Sequence, residues 1–313
     1  MAVPTNTYQT VSAVGVREDL VNMVFNVDPD VTVLQTALKR TKATNTYHEW
    51  LTDTLAAPSA TNAHIQGDDA SADVITAATR LGNYTQISSH TAQVAGTNAS
   101  VDSAANVAKM GYVLLKKVKE LKRDTEASLF DNHARVAPTT TVAGVSAGLP
   151  SWIHTNIVQG ATGVAPTGNG TNTRTAGTPA ALTEAMVKSA LLSAFQNTGR
   201  IPKLAFAYPT QKQEISAFQG NGTRFVEIAG KKLNTAFDIY GSDFGEVTVI
   251  PSIFQAAGTI TFINPDFVKC AVLRPFRKVP LAKTGDSEKV QILEEWTLEM
   301  SNEKAHAAVY DVT

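Results

Sequence analysis

The chain has 313 residues, 43% hydrophobic and 18% charged, with 27 Lys and Arg against 28 Asp and Glu for a formal net charge of −1. That is enough for one large or two modest domains with cores of their own, which excludes a peptide or a disulfide-stapled mini-scaffold. The balanced charge excludes a global basic field for nucleic acid or membrane surfaces, and no run approaches the ~20 apolar residues of a spanning helix.

A single cysteine, Cys270, allows no intramolecular disulfide and no cysteine-rich zinc cluster, as expected of a chain that folds in a reducing compartment. The opening MAVPTNTYQT has neither the basic nor the apolar region of a secretory leader, so export is not expected.

Residues 1–40 show no sustained period, apart from a short amphipathic turn in VREDLVNMVF before Asp28-Pro29, and read as an arm. TYHEWLTDTL and TRLGNYTQIS then alternate as two strands around a long polar excursion, LAAPSATNAHIQGDDASADVITAA. A hairpin of that shape fills no core of its own and is expected to project and bury its surface on something else. No lysine lies between Ala43 and Ser100.

Val107, Leu114, Val118, Leu121 and Leu129 share one face of a helix expected over about 104–132, capped by Asp102 or Ser103. Lys109, Lys116 and Arg123 recur every seven residues on the opposite side. They read as a solvated outer face, with phosphate contact as the alternative. From Val136 to Ala181 Gly, Thr and Ala dominate, predicting a loop-rich and only partly ordered stretch.

Thr183 caps a helix over EAMVKSALLSAFQN, with Met186, Ala190, Leu191 and Ala194 as its apolar stripe and Gly199 beyond its end. KLAFAY is a strand, and PTQKQEISAF a second helix entered through proline. EVTVI, GTITFI, VKCAVL, KVQIL, EEWTLEM and HAAVYDV read as strands. In EEWTLEM, Trp296, Leu298 and Met300 alternate with Glu295, Thr297 and Glu299 as in a half-exposed antiparallel strand. The class is α+β, without βαβ repetition.

Motifs for catalysis are weak. GVSAG at 144–148 matches a nucleophile elbow around Ser146, but Pro150 would interrupt the helix that the elbow must open. KTG at 283–285 and the S-x-x-K of Ser301 and Lys304 stand in the wrong order for a serine acylase, and LAKTGDSEK reads instead as a polar hairpin tip. The six histidines have no metal-building spacing, and the phosphate-binding glycine patterns are missing. No catalytic, metal or cofactor-binding residue is assigned, and no cofactor is expected.

A flexible arm, a projecting lysine-free hairpin, a long helix, a loop-rich middle and closing strands make a chain built to touch neighbours. It resembles the major capsid proteins of tailed bacteriophages, whose fold is shared with encapsulins. The residues that carry the resemblance are VREDL at 16–20, YHEWLTDTLAAP at 47–58, TRLGNYTQIS at 79–88 and ELKRDTEASL at 120–129. Later, DIYGSDFG and RPFRKVPLAKTGDSEKVQILEEWTLEMSNEKA add to it.

The resemblance implies an N-terminal arm (1–40), an extended loop (41–100), a peripheral domain with a spine helix (101–136), an axial domain (137–268) and return strands of the peripheral domain (269–313). It implies hexamers and pentamers of an icosahedral shell around double-stranded DNA held without sequence specificity, assembled in the host cytoplasm, with no membrane partner. Scaffolding, portal and decoration proteins are the further partners it admits. Subunit contacts are expected at Trp50, Asp53, Arg80 and Tyr84 on the hairpin and at Lys283, Asp286 and Glu288 at the tip, with Lys109, Lys116 and Arg123 facing DNA. An encapsulin-like compartment shell is the alternative, and a serine hydrolase using Ser146 a distant one. Some members of the wider fold cross-link through a lysine of the extended loop, and this loop has none.

Overall fold

The computed structural model describes residue 29 and residues 31–67, 69, 72–101, 109–218 and 239–313. Most of the arm, and Asp102, Ser103 and Val107 before the long helix, lie outside the described residues. In chain order the first elements are α1 (Val33–Ala37), β1 (Lys39–Lys42), β2 (Tyr47–Thr52), β3 (Thr79–Tyr84), β4 (Gln86–Ala95) and α2 (Gly96–Ser100). There follow α3 (Met110–Phe130), β5 (Ile157–Val158), α4 (Glu184–Thr198), β6 (Leu204–Ala207) and α5 (Pro209–Ala217). The chain closes with β7 (Ile239–Ser242), β8 (Gly245–Pro251), β9 (Thr259–Ile263), β10 (Val268–Pro280), β11 (Ser287–Met300) and β12 (Ala307–Tyr310).

The strands form a four-stranded sheet in the order β1-β10-β11-β4, a six-stranded sheet in the order β5-β12-β9-β6-β8-β7, and the separate pair β2-β3. Helix α3 lies on β4 and reaches β11, burying Leu121, Thr125, Leu129 and Phe130. Leu114 and Val118 of the expected stripe are half-buried on the same helix.

Alternation couples the two large sheets into one core. In β6, Phe206 joins Trp296, Leu298 and Trp152 in a cluster that also takes Ile263 and Tyr310. Its neighbours Ala205 and Ala207 face the opposite way, onto Val187, Ala190 and Leu191 of α4. A two-residue period thus places each face of the six-stranded sheet against a different apolar layer.

Helix α4 is bounded as its sequence demands. The Thr183 hydroxyl accepts from the Met186 N–H, and Gly199 closes the helix in the left-handed region at φ +66°, its N–H donating to the Phe195 carbonyl. The buried stripe differs in one place, because Val187 is buried where Met186 was expected.

Two further expectations change, on the stretch 137–181 and on the strand 294–300, and the closing strands enter both large sheets. The stretch 137–181 is short of regular structure but is pinned at its centre: Leu149, Trp152 and Ile153 are all buried, and a short 3-10 helix spans Leu149–Ser151. Residues 269–313 are divided between the large sheets, since β12 leaves the four-stranded sheet and pairs antiparallel with β9. The strand 294–300 is not half-exposed. Glu295, Thr297 and Glu299 are all buried, because the β2-β3 pair and the Ser146 loop cover the face expected to meet solvent. Among the described residues no helix is long and apolar enough to cross a membrane.

Candidate assembly surfaces

The base of the extended loop is built from cross-strand pairs. β2 and β3 run antiparallel with Tyr47 opposite Tyr84, Glu49 opposite Gly82 and Trp50 opposite Leu81. The Tyr47 and Tyr84 rings have centroids 4.6 Å apart, and the Arg135 guanidinium lies 5.4 Å from the centre of the Tyr47 ring. Gly82 admits this packing because a Cβ there would stand 2.8 Å from the Tyr47 ring.

The base is fastened to the sheet by buried charge. His48 Nε2 meets Glu299 Oε2 at 3.1 Å, and Lys269 Nζ reaches Oε1 of the same carboxylate at 3.3 Å. Burial raises the Glu299 pKa, but hydrogen bonds from His48, Lys269 and Ser301, with the Lys269 charge, outweigh it and hold the group below the usual carboxylate range. Along the same strand, Glu295 accepts from Thr85 at 2.7 Å and from Arg274 at 2.5 Å, and Glu294 pairs with Arg40 at 3.3 Å.

Beyond the base, the described residues of 53–78 have no regular secondary structure. Leu55 (99% exposed), Val74 (95%), Ile75 (92%) and Ile65 (79%) stand clear of the subunit. Large apolar side chains this exposed in one segment mark a surface that a partner covers.

The expected contact residues separate accordingly. Asp53 and Arg80 point outward, Arg80 held by an exposed ion pair to Glu49 at 3.1 Å that contributes about 0–1 kcal/mol. Trp50 and Tyr84 do not. Trp50 is half-buried against Trp152, with ring centroids 5.3 Å apart, and Tyr84 lies tilted against Tyr47, so both pack on their own chain. Lys283, Asp286 and Glu288 come together at the β10–β11 turn, lining one cavity of about 300 Å³ with Val94, Ala99 and Met110.

Lys109 immediately precedes α3, and Lys116 and Arg123 follow on the helix with Lys116 exposed and Arg123 half-buried. Glu126 went unnoticed in the sequence. Its buried carboxylate accepts from the N–H groups of Leu34 (2.7 Å) and Gln35 (2.9 Å), tying the root of the arm to α3.

Ser146 is buried and its hydroxyl is engaged by its own chain. Its hydroxyl accepts from Asn83 Nδ2 and from the Leu298 N–H, both at 3.1 Å, while His133 reaches only its backbone carbonyl at 2.6 Å. Among the described residues no group of three or more His, Cys, Asp or Glu could hold a metal ion.

The family model of the SU10 major capsid protein matches residues 3–313. The chain belongs to the SU10 major capsid protein family. A major capsid protein of Escherichia phage Phieco32 is 28% identical over 121 residues, which is 39% of this chain and 34% of that protein. The match thus spans about a third of that relative's length.

Among solved structures, the capsid of cyanophage A-1(L) is similar with a TM-score of 0.64 and 14% identity, over 97% of this chain and 98% of that one. The SrpI encapsulin of Synechococcus elongatus PCC 7942 is similar with a TM-score of 0.56 and 12% identity, over 95% and 92% of the two chains. The mixed helix-and-sheet fold is that of phage capsid proteins, a family of structural proteins.

Proposed function

We propose that the chain is the repeating subunit of an icosahedral phage shell, assembling as hexamers and pentamers around double-stranded DNA. The observation that carries this reading is the family match across residues 3–313. The exposed loop supports it, since burying one Leu, Ile or Val side chain on a neighbour contributes about 1.5–3 kcal/mol and the contact repeats at every subunit of a closed lattice. Near-neutral charge lets like molecules lie side by side without strong mutual repulsion.

Assembly takes place in the host cytoplasm, with scaffolding, portal and decoration proteins as further partners. The axial contacts come from residues 137–268, and charge pairs at the tip that carries Lys283, Asp286 and Glu288 meet symmetry-related copies. On the enclosed side Lys109, Lys116 and Arg123 meet phosphate without sequence preference.

A compartment shell is the second reading, favoured by the similarity to the encapsulin. Nuclease treatment separates the two. Particles purified from infected cells should retain DNA after digestion of free nucleic acid, and particles holding protein cargo with no protected DNA would overturn the first reading in favour of the second.

A further inference from the structure

The loop 167–172, TGNGTN, gathers donors around one side-chain oxygen. Asn169 Oδ1 accepts from the Thr171 N–H at 3.0 Å and from the Thr171 hydroxyl at 2.6 Å. Thr167 Oγ1 stands 2.7 Å from Asn169 Oδ1 and 2.7 Å from Asn172 Oδ1, so its single proton serves one or the other. A backbone N–H can only donate, which fixes the bonded atom of Asn169 as the carboxamide oxygen.

The two nitrogens beside that oxygen are left unbound. Asn169 Nδ2 and the Gly170 N–H donate to no group among the described residues. Accepting from the N–H two residues on makes an Asx turn, which folds the carboxamide over the intervening peptide and carries its Cγ towards the Gly170 nitrogen. Glycine has no Cβ to obstruct that approach. Asn169 is only half-buried, so water reaches it.

We propose that Asn169 is a site of spontaneous deamidation, at which the fold polarises the carboxamide and leaves both the attacking and the departing nitrogen free. The Gly170 nitrogen gives its proton to hydroxide and bonds to Cγ of Asn169. Negative charge then collects on Oδ1, where the Thr171 N–H and hydroxyl, and the Thr167 hydroxyl when turned this way, stabilise it as donors stabilise an oxyanion. The Cγ–Nδ2 bond breaks, and the nitrogen takes a proton from water and leaves as ammonia. Water opens the resulting succinimide at either carbonyl to give aspartate or isoaspartate at position 169, so the net change is amide plus water to acid plus ammonia.

The modification changes the subunit in two ways. Arg174 is the only Lys, Arg, Asp or Glu from Val136 to Ala181, so a carboxylate at position 169 adds charge to a stretch that has almost none. The isoaspartate form also inserts a methylene into the main chain beside Gly170, whose carbonyl accepts from the Arg135 N–H at 2.8 Å and where a Cβ would stand 2.8 Å from the Trp152 ring. That seat has no room for the shift, so the loop loosens from Trp152. All these residues belong to one chain, and the inference does not depend on the shell reading.

Folded protein kept at mildly alkaline pH in water enriched in heavy oxygen, then mapped by peptide mass spectrometry, tests this. Label should enter position 169 about tenfold or more faster than in the same chain unfolded in guanidinium chloride, because only the fold holds the donors in place. It should also outpace Asn172, which is followed by the β-branched Thr173. Removing one oxyanion donor costs an enzyme about 10²–10³ in rate, so Thr171→Val should slow the folded rate about tenfold or more, and Thr171→Ser should restore it. Unfolding midpoints show whether the variants are folded, and if Thr171→Val is not, the wild-type comparison of folded with unfolded chain decides alone. A folded rate no greater than the unfolded one, or a folded Thr171→Val variant that takes up label as fast as the wild type, would overturn the proposal and leave the loop as an ordinary Asx turn.

Discussion

Trp50 lies against Trp152 with ring centroids 5.3 Å apart, so the root of the extended loop is packed on the core of its own chain. Trp296 sits deeper, 1% exposed, in the same cluster. Trp296→Ala should destabilise the subunit by about 3–5 kcal/mol. Trp50→Ala should also destabilise it, by about 1–2 kcal/mol from the lost aromatic contact and area. Denaturant unfolding of the isolated variants measures both, and a Trp50→Ala midpoint equal to wild type would show that the ring contact contributes nothing.

Two buried groups give opposite pH slopes. Burial pushes Glu126 above its usual 4.5, although hydrogen bonds from the arm backbone oppose the shift. An acid so raised holds its proton more readily folded than unfolded, so its contribution to stability falls as pH rises from 4.5 through the folded value. Burial carries His306 the other way, from 6.5 to about 3, so its contribution is present above 6.5 and lost as pH falls below it. As pH drops from 7 to 5, wild type should gain on Glu126→Gln and lose against His306→Gln in urea midpoint. Parallel trends in the two comparisons would contradict these assignments.

Cys270 is 5% exposed, and burial first of all, with the nearby Glu294 charge, pushes its thiol up to about 12. A buried neutral thiol is inert. It should resist a thiol reagent in the folded subunit and react at once in denaturant. The loop has no lysine for a cross-link. Particles boiled in detergent without reductant should therefore run as one band at monomer mass, and a ladder of multimers would reveal covalent joints.

The cationic face of α3 gives a fourth prediction. On the proposed phosphate contact, charge reversal at Lys109, Lys116 and Arg123 together should lower the DNA retained per particle and flatten its dependence on salt, because a cation that neutralises phosphate releases counterions. Unchanged retention across salt concentrations would leave the stripe as a solvated helix surface.

What the sequence revealed and what it concealed follow one physical line. Local signals were legible: the Thr183 cap, the Gly199 stop, the proline entry of α5 and the alternation of β2 against β3 each depend on residues a few positions apart. Long-range covering was not. The alternation of 295–300 suggested one wet face, and only the arrival of His48, Thr85 and Ser146 from distant segments buries its acids. Glu126 was hidden for the same reason, since its partners lie 91 and 92 residues away. The packing of Trp50 on Trp152 was hidden likewise, because the two rings are about a hundred residues apart in the chain although only 5.3 Å apart in the fold.

The central claim is that this chain closes into a shell by burying residues 53–78 on its neighbours. Electron microscopy of the purified wild type beside a variant lacking residues 56–78 tests it most directly. The account predicts closed icosahedral particles for the wild type, and for the variant folded subunits with an unchanged unfolding midpoint that do not close. Wild-type protein that stays monomeric at high concentration in several salts, or a loop-deleted variant that still builds closed shells, would contradict it.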